Sequence, residues 1–209
     1  MHLLLSSRAL ANEEMTNLFL SFAAGCKHVA ILTTAAMVYK EKNRNTVLLT
    51  HRLQEMEFQV SFIDVAFDNP SKLKESDLTI ITGGNPYYLL HHLRQSGADK
   101  VLTTLIQQQH PVMGISAGLL VLLQNLSIID WLTPEMNTIN LQDKQCLGLI
   151  NEVIIPHYDR FIAEGKISTE KVDAFEYQIQ QPIIRVGEYQ ALYVKNGEGK
   201  LIGTSPYVD

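Results

Sequence analysis

The chain has 209 residues, of which 46% are hydrophobic and 19% are charged, and its formal net charge at pH 7 is −5. This composition is that of an ordinary globular protein and excludes a disordered, fibrous or membrane-embedded chain. Nucleic acid is not an expected partner, because nucleic-acid binders cluster basic residues to displace phosphate counterions. This chain is acidic overall, and its 17 lysines and arginines are scattered.

The N-terminal run Leu3–Leu5 lacks a basic flank and is too short for a signal peptide, so it predicts a first buried strand. The longest mostly apolar stretch, Ile115–Leu123, falls short of a membrane span, and no membrane partner is expected. Two cysteines, Cys26 and Cys146, cannot form a disulfide framework, which predicts a cytoplasmic protein with reduced thiols. Since no His/Cys cluster has metal-ligand spacing, we expect no metal and no cofactor.

Short β-rich runs alternate with longer amphipathic segments, which predicts a single α/β domain over residues 1–209, with a mainly parallel sheet between two layers of helices. The predicted strands are Leu3–Ser7, Val29–Thr34, Gln59–Asp64, Leu78–Thr82, Val112–Ile115 and Glu152–Pro156. The predicted helices are Asn12–Ala24, Asn45–Met56, Pro86–Ser96 and Lys100–Gln109. The later runs, Ile183–Val186, Ala191–Val194 and a short strand from Leu201, predict an antiparallel ribbon appended to the parallel sheet.

A glycine turn follows the fourth predicted strand, at Thr82-Gly83-Gly84-Asn85-Pro86. Asn85 is a suitable N-cap and Pro86 a suitable first residue for the helix that follows. Glycine leaves the backbone N–H accessible, so Gly84 and the N–H of Ala117 are candidates for an oxyanion hole, and Asn85 is expected among the oxyanion or substrate-binding residues. The alternative is an ordinary glycine turn before a capped helix.

The most informative stretch is Gly114-Ile115-Ser116-Ala117-Gly118, a G-x-S-x-G pattern between a strand-like and a helix-like run. A serine on a tight strand-to-helix turn strains the backbone, and small residues on either side allow strand and helix to approach closely. We expect Ser116 to be a nucleophile. The alternative is a tight turn with a solvent-facing serine.

A serine hydroxyl needs a base, and seven histidines are available. His157 is the candidate because it follows the predicted strand Glu152–Pro156, and open α/β sheets gather their sites at the carboxyl ends of strands. The other histidines begin strands, lie inside a helix or occupy a turn.

Together, the glycine turn with Asn85, the elbow around Ser116 and the segment Pro156-His157-Tyr158-Asp159 resemble peptidase family S51, which includes dipeptidase E and the cyanophycinases. The resemblance covers about Leu3 to Val194. It implies a class I glutamine amidotransferase-like, flavodoxin-like α/β/α fold and hydrolysis of small peptides by Ser116 and His157. Amidotransferases of this fold carry cysteine at the elbow, so a serine there points to the peptidase branch.

Two features depart from the family's pattern. The acidic third member expected after the elbow has two candidates, Asp130 and Glu135, and we expect Asp130, which preserves the order Ser, acid, His. A Ser-His dyad is the alternative. The arginine that holds an aspartyl substrate is not matched either; Arg160 is the expected substrate-binding residue, with Lys166 and Lys171 as weaker substitutes because lysine lacks a bidentate grip.

The sequence therefore predicts a serine peptidase acting on small peptides. Two other functions stay open, a non-catalytic binding or regulatory protein on the same fold and a serine hydrolase of other amides or esters. A homodimer also stays open.

Overall fold

The structure, a computed structural model that describes residues 1–205, is built around a seven-stranded sheet and a smaller two-stranded sheet. The strands are β1 His2–Ser6, β2 His28–Leu32, β3 Gln59–Ile63, β4 Leu78–Ile81, β5 Val112–Ile115, β6 Val153–Pro156, β7 Ile183–Val186, β8 Gln190–Lys195 and β9 Glu198–Gly203. The helices are α1 Glu13–Phe22, α2 Arg44–Glu55, α3 Pro86–Ser96, α4 Ala98–Gln107, α5 Ala117–Leu120, α6 Ser127–Leu132, α7 Tyr158–Ala163 and α8 Thr169–Ile179.

The large sheet has the strand order β3-β2-β4-β5-β1-β8-β9. Its first five strands are parallel, whereas β8 is antiparallel to β1 and β9 is antiparallel to β8. The predicted fold class, a mainly parallel sheet in an α/β/α arrangement with a C-terminal antiparallel ribbon, is confirmed.

Helices cover both faces of this sheet because its central strands are apolar at consecutive positions. In β1, Leu3 and Leu5 belong to one buried cluster with residues of α3 and α4, whereas Leu4 packs into a second cluster with Phe19 of α1 and Leu53 of α2. The period-2 alternation of side chains thus places the two helical layers on opposite faces.

The predicted start of α3 is also confirmed. Asn85 Oδ1 accepts a hydrogen bond from the N–H of Tyr88 at 3.0 Å, and Pro86 is the first helical residue. Gly97 ends the helix in the left-handed conformation, at φ 77°. Local capping chemistry therefore sets both ends of the helix that follows the glycine turn.

The prediction for the last third was wrong in one respect. Ile183–Val186 is not part of the ribbon, because β7 pairs in parallel with β6 in the separate two-stranded sheet. The ribbon consists of β8 and β9 only. Parallel pairing places the carboxyl ends of β6 and β7 side by side, which brings the segments after Pro156 and after Val186 together.

Within residues 1–205, no helix combines the length and the apolar character needed to cross a membrane.

Candidate active site

Ser116 lies between β5 and α5 in a strained backbone conformation, with φ 51° and ψ −108°. A positive φ is uncommon for a residue other than glycine and persists only where the surroundings impose it. Here the N–H of Ser116 donates to the carbonyl of Ser6 at 2.9 Å, which ties the turn to the end of β1. A tight strand-to-helix turn thus carries Ser116.

The two glycines of the G-x-S-x-G pattern are required by close backbone contacts. A Cβ on Gly118 would lie 2.1 Å from the carbonyl oxygen of Ile81 in β4, and a Cβ on Gly114 would lie 2.8 Å from the carbonyl oxygen of Gly118. Real Cβ atoms do not approach backbone atoms this closely. The glycines therefore allow α5 to pack directly against β4 and β5.

We expect Gly118→Ala to lower the free energy of unfolding by about 1–3 kcal/mol, the usual range for overpacking a buried contact. Urea denaturation measures this change. The matched control is Gly199→Ala in β9, where a Cβ would make only ordinary contact, 3.4 Å from the nearest atom of Leu192. Equal losses in the two variants would contradict the role of close packing at the elbow.

His157 lies between β6 and α7 in the left-handed conformation, with φ 59°. Its N–H donates to the buried hydroxyl of Ser7 at 2.8 Å, and that hydroxyl donates to the carbonyl of Val186 at 3.0 Å. Ser7 thus joins the ends of β1, β6 and β7 beneath the imidazole. In this position His157 Nε2 lies 2.9 Å from Ser116 Oγ, within hydrogen-bonding distance.

The other ring nitrogen, His157 Nδ1, is hydrogen-bonded to Oε1 of Glu188. Glu188 follows β7 in the loop 187–189, and its side chain is 15% exposed. A carboxylate on Nδ1 assigns the ring proton to that nitrogen, which leaves Nε2 free to accept a proton from Ser116. Ser116, His157 and Glu188 form a continuous hydrogen-bonded array.

Glu188 is held in its charged form. Burial by itself would raise the pKa of this carboxyl, but the hydrogen bond from His157 and the positive charges of Arg160 and Arg8 outweigh it, and the pKa lies below its ordinary value. The nearer guanidinium is that of Arg8, whose Nε lies 3.4 Å from Glu188 Oε2. At neutral pH the array therefore presents a carboxylate to the imidazole.

Asp130, the acid expected from the sequence, does not contact His157. It lies in α6, where Oδ1 accepts a hydrogen bond from the hydroxyl of Tyr87 at 2.5 Å and Oδ2 pairs with Lys144. Burial, followed by the hydrogen bond to Asp130, raises the pKa of Tyr87, and the charge of Glu135 acts on the same tyrosine. Asp130 thus belongs to a structural cluster around the buried Tyr87, and the expectation that it pairs with His157 is wrong, because the carboxylate that contacts the imidazole is that of Glu188.

The glycine turn lies beside the elbow. A Cβ on Gly83 would lie 3.7 Å from Ser116 Oγ, and Gly84, at φ 146°, approaches the backbone of Ala35 so closely that a Cβ would lie 2.1 Å from its carbonyl oxygen. Within residues 1–205, the N–H of Gly84 has no hydrogen-bond acceptor. Ala117 is the first residue of α5, and the N–H of a first helical residue has no acceptor within its own helix. In the part of the chain that the structure describes, neither predicted donor therefore has a backbone acceptor.

The side chain of Asn85 makes two structural hydrogen bonds. Besides capping α3 through Oδ1, its Nδ2 donates to the carbonyl of Met136 at 2.7 Å. It therefore joins the glycine turn to the segment 134–136.

Arg160 is one turn of chain past His157, and its side chain is 44% exposed. It pairs with Glu164 at 3.7 Å and lies over the ring of Phe161, 5.4 Å from the centroid. Lys166 pairs with Glu164 at 2.8 Å, and Lys171 lies in the first turn of α8. Of the three predicted cations, Arg160 is the one whose charge acts on Glu188.

Glu188 was missed because the sequence places it between two β-like runs that were interpreted as one antiparallel ribbon, where Gly187-Glu188-Tyr189 looks like a hairpin turn. The usable signal was the hydrophobic run Ile183–Val186 followed by glycine and an acid. If that run is interpreted as a parallel neighbour of the strand before His157, then Glu188 and His157 both follow the carboxyl ends of adjacent strands and lie at the same sheet edge.

A family model described as peptidase family S51 matches residues 2–202. An uncharacterized peptidase of Pasteurella multocida is 25% identical over 201 residues, covering 90% of this chain and 92% of the relative. Peptidase E of Shewanella baltica (strain OS185) is 29% identical over 167 residues, covering 74% of this chain and 65% of the relative.

Two crystal structures share the fold. One is a Listeria monocytogenes EGD-e protein provisionally described as peptidase E, with a TM-score of 0.77 and 22% identity, covering 98% of each chain. The other is a peptidase from an acI-B1 Actinobacterium, with a TM-score of 0.68 and 21% identity, covering 98% of this chain and 88% of that one.

Proposed function

Because the family model matches nearly its whole length, the chain belongs to peptidase family S51 and is a peptidase, and we propose that it is a serine peptidase that hydrolyses short peptides through an acyl-enzyme on Ser116. The observation that carries the proposal is the 2.9 Å separation of Ser116 Oγ and His157 Nε2, with Glu188 on the opposite ring nitrogen. This arrangement of nucleophile, base and orienting acid is recognised by geometry and not by chain order.

In the first half of the reaction, Ser116 Oγ attacks the scissile carbonyl carbon while its proton passes to His157 Nε2. The imidazolium that forms is stabilised by the carboxylate of Glu188. The carbonyl oxygen becomes an oxyanion, for which the N–H groups of Gly84 and Ala117 are the proposed donors. Collapse of the tetrahedral intermediate breaks the C–N bond, and His157 gives its proton to the departing amine.

In the second half, water replaces the amine. His157 Nε2 takes a proton from the water, whose oxygen attacks the ester carbonyl of the acyl-enzyme. Breakdown of this second intermediate returns the proton from His157 to Ser116 Oγ and releases the carboxylate product.

A fluorophosphonate probe tests the proposal directly, because it phosphonylates only a serine whose hydroxyl is activated. We expect one equivalent of label on Ser116, found by mass spectrometry of the digested protein, and no label in Ser116→Ala. The matched control is Ser127→Ala in α6, which keeps full labelling. Absence of label on Ser116 in the folded wild-type protein would contradict the proposal. Parallel hydrolysis assays with dipeptides, longer peptides and simple esters define the substrate class.

Arg160 is the proposed contact for a carboxylate of the substrate, since its exposed guanidinium lies in α7 three residues after His157. We expect Arg160→Ala to raise KM about tenfold for substrates with an acidic residue or a free terminal carboxylate and to leave kcat within about twofold, because a charge-assisted hydrogen bond contributes roughly 1.5–3 kcal/mol. Steady-state kinetics with acidic and neutral dipeptides measure the difference. An equal effect on both substrates would contradict a carboxylate contact.

A cytosolic location belongs to the same proposal. It is supported by Cys26 and Cys146, neither of which forms a disulfide in the structure.

A further inference from the structure

Asp159 is a buried acid next to the array, and the reaction proposed above does not use it. It is 6% exposed and lies in the first turn of α7, two residues after His157. An ionised carboxylate at such a site is costly unless hydrogen bonds compensate the lost hydration. The partners of Asp159 therefore indicate what it is for.

The carboxylate of Asp159 receives backbone N–H groups. Its Oδ1 and Oδ2 lie 3.0 and 2.9 Å from the N–H of Glu188, and Oδ1 also accepts the N–H of Arg160 at 2.7 Å. Charge-assisted hydrogen bonds of this kind are stronger and geometrically stricter than neutral ones. They bind the loop that carries Glu188 to the turn that carries His157.

The loop is shaped to receive this carboxylate. A Cβ on Gly187 would lie 2.7 Å from Asp159 Oδ2, so a larger residue at this position would require the carboxylate to move. On its other side, the N–H of Gly187 donates to Oε1 of the buried Gln190 at 2.9 Å. Asp159 and Gln190 thus hold two successive backbone N–H groups of the loop, those of Glu188 and Gly187.

From this geometry we propose that Asp159 is a positioning residue, which fixes the carboxylate of Glu188 against His157 Nδ1 by binding the backbone N–H of Glu188. The proposal rests on the proposed serine peptidase function. On this proposal, the turn 157–159 carries the base His157 and also binds the backbone of Glu188. The distance between the imidazole and the Glu188 carboxylate is then set by the hydrogen bonds that this one turn makes. A displacement of about 1 Å in such a group can cost about 100-fold in rate.

Two variants test the proposal. We expect Asp159→Ala to lower kcat about 100-fold and Asp159→Asn about tenfold, because the asparagine amide keeps one oxygen acceptor for the Glu188 N–H, and we expect KM to stay within about twofold in both. Circular dichroism and thermal unfolding establish that each variant is folded. If Asp159→Ala does not fold, the near-isosteric Asp159→Asn carries the test.

The matched control is Asp77→Asn. Asp77 also uses its carboxylate to accept two backbone N–H groups, those of Lys27 and His28 at 2.9 Å each, but it lies at the opposite edge of the sheet, before β4. We expect its kcat to equal that of the wild type.

A double-mutant cycle separates positioning from general structural support. If Asp159 acts through Glu188, Asp159→Asn should slow fluorophosphonate labelling about tenfold in the wild type and less than about twofold in the Glu188→Ala background. Equal slowing in both backgrounds, or wild-type kcat in folded Asp159→Ala, would overturn the proposal. Labelling of Ser116 in the wild type distinguishes this outcome from failure of the serine peptidase function itself, in which no variant would be labelled.

Discussion

Ser116→Ala is expected to lower kcat by about 10⁵- to 10⁶-fold while the protein stays folded, because the nucleophile of a Ser-His-acid array has no substitute. The side chain of Ser116 makes no capping hydrogen bond to α5, and among the described residues its hydroxyl is hydrogen-bonded only to the imidazole of His157. Loss of the hydroxyl should therefore affect the reaction and not the elbow. Steady-state peptide hydrolysis measures the loss of kcat, and the thermal midpoint measures the fold.

His157→Ala is the companion variant, and it should be as inactive as Ser116→Ala because both residues act as one unit. The double variant should be no slower than either single one. Multiplicative losses, or substantial turnover in folded Ser116→Ala, would mean that the two residues do not share a reaction step.

Glu188→Gln is expected to lower kcat by about 10³- to 10⁴-fold, the second largest effect. Its amide can donate a hydrogen bond to His157 Nδ1, which favours the tautomer with the proton on Nε2, and that nitrogen then cannot accept the proton of Ser116. The reaction would lose its base although the imidazole stays in place. Peptide hydrolysis and the rate of fluorophosphonate labelling should fall together.

Asp130→Asn gives the decisive comparison, since Asp130 is the acid that the sequence favoured. In the structure it contacts Tyr87 and Lys144, so we expect its kcat to stay within about twofold and its thermal midpoint to fall. The reverse pattern, with an active Glu188→Gln and an inactive but folded Asp130→Asn, would return the assignment to Asp130.

The pH dependence of stability provides an independent check on Glu188. Its pKa in the folded protein is below the ordinary value of about 4.3, so its carboxylate stabilises the fold fully above that pH, and the stabilisation is lost as the pH falls through the depressed pKa. Glu188→Gln lacks this contribution. We expect the difference in thermal midpoint between wild type and Glu188→Gln to shrink as the pH falls from neutral to about 3, and a constant difference would contradict the assigned charge state.

Capping and steric patterns were readable from the sequence because they depend on near neighbours in the chain. Asn85 and Pro86 open α3 as expected, since the cap bonds a backbone N–H only three residues away. Gly114 and Gly118 were recognised by their fixed spacing around Ser116, although the contact that excludes a Cβ at Gly118 is with Ile81 of β4. His157 could be selected because it follows a strand, and strand ends are visible as the ends of hydrophobic runs.

Glu188 could not be recognised from local sequence, because it lies 31 residues from His157 in the chain and no local pattern connects the two residues. The parallel pairing of β6 with β7 brings them to one edge, and the carboxylate of Asp159 then binds the Glu188 backbone. The sequence by itself determined the α/β pattern and the tight strand-to-helix turn that carries Ser116, through local sterics and hydrophobic periodicity. Only the tertiary structure decided which carboxylate contacts the imidazole of His157. The pairing of β6 with β7 depends on packing between segments that are distant in the sequence, and the hydrophobic periodicity of neither segment shows which strand it pairs with.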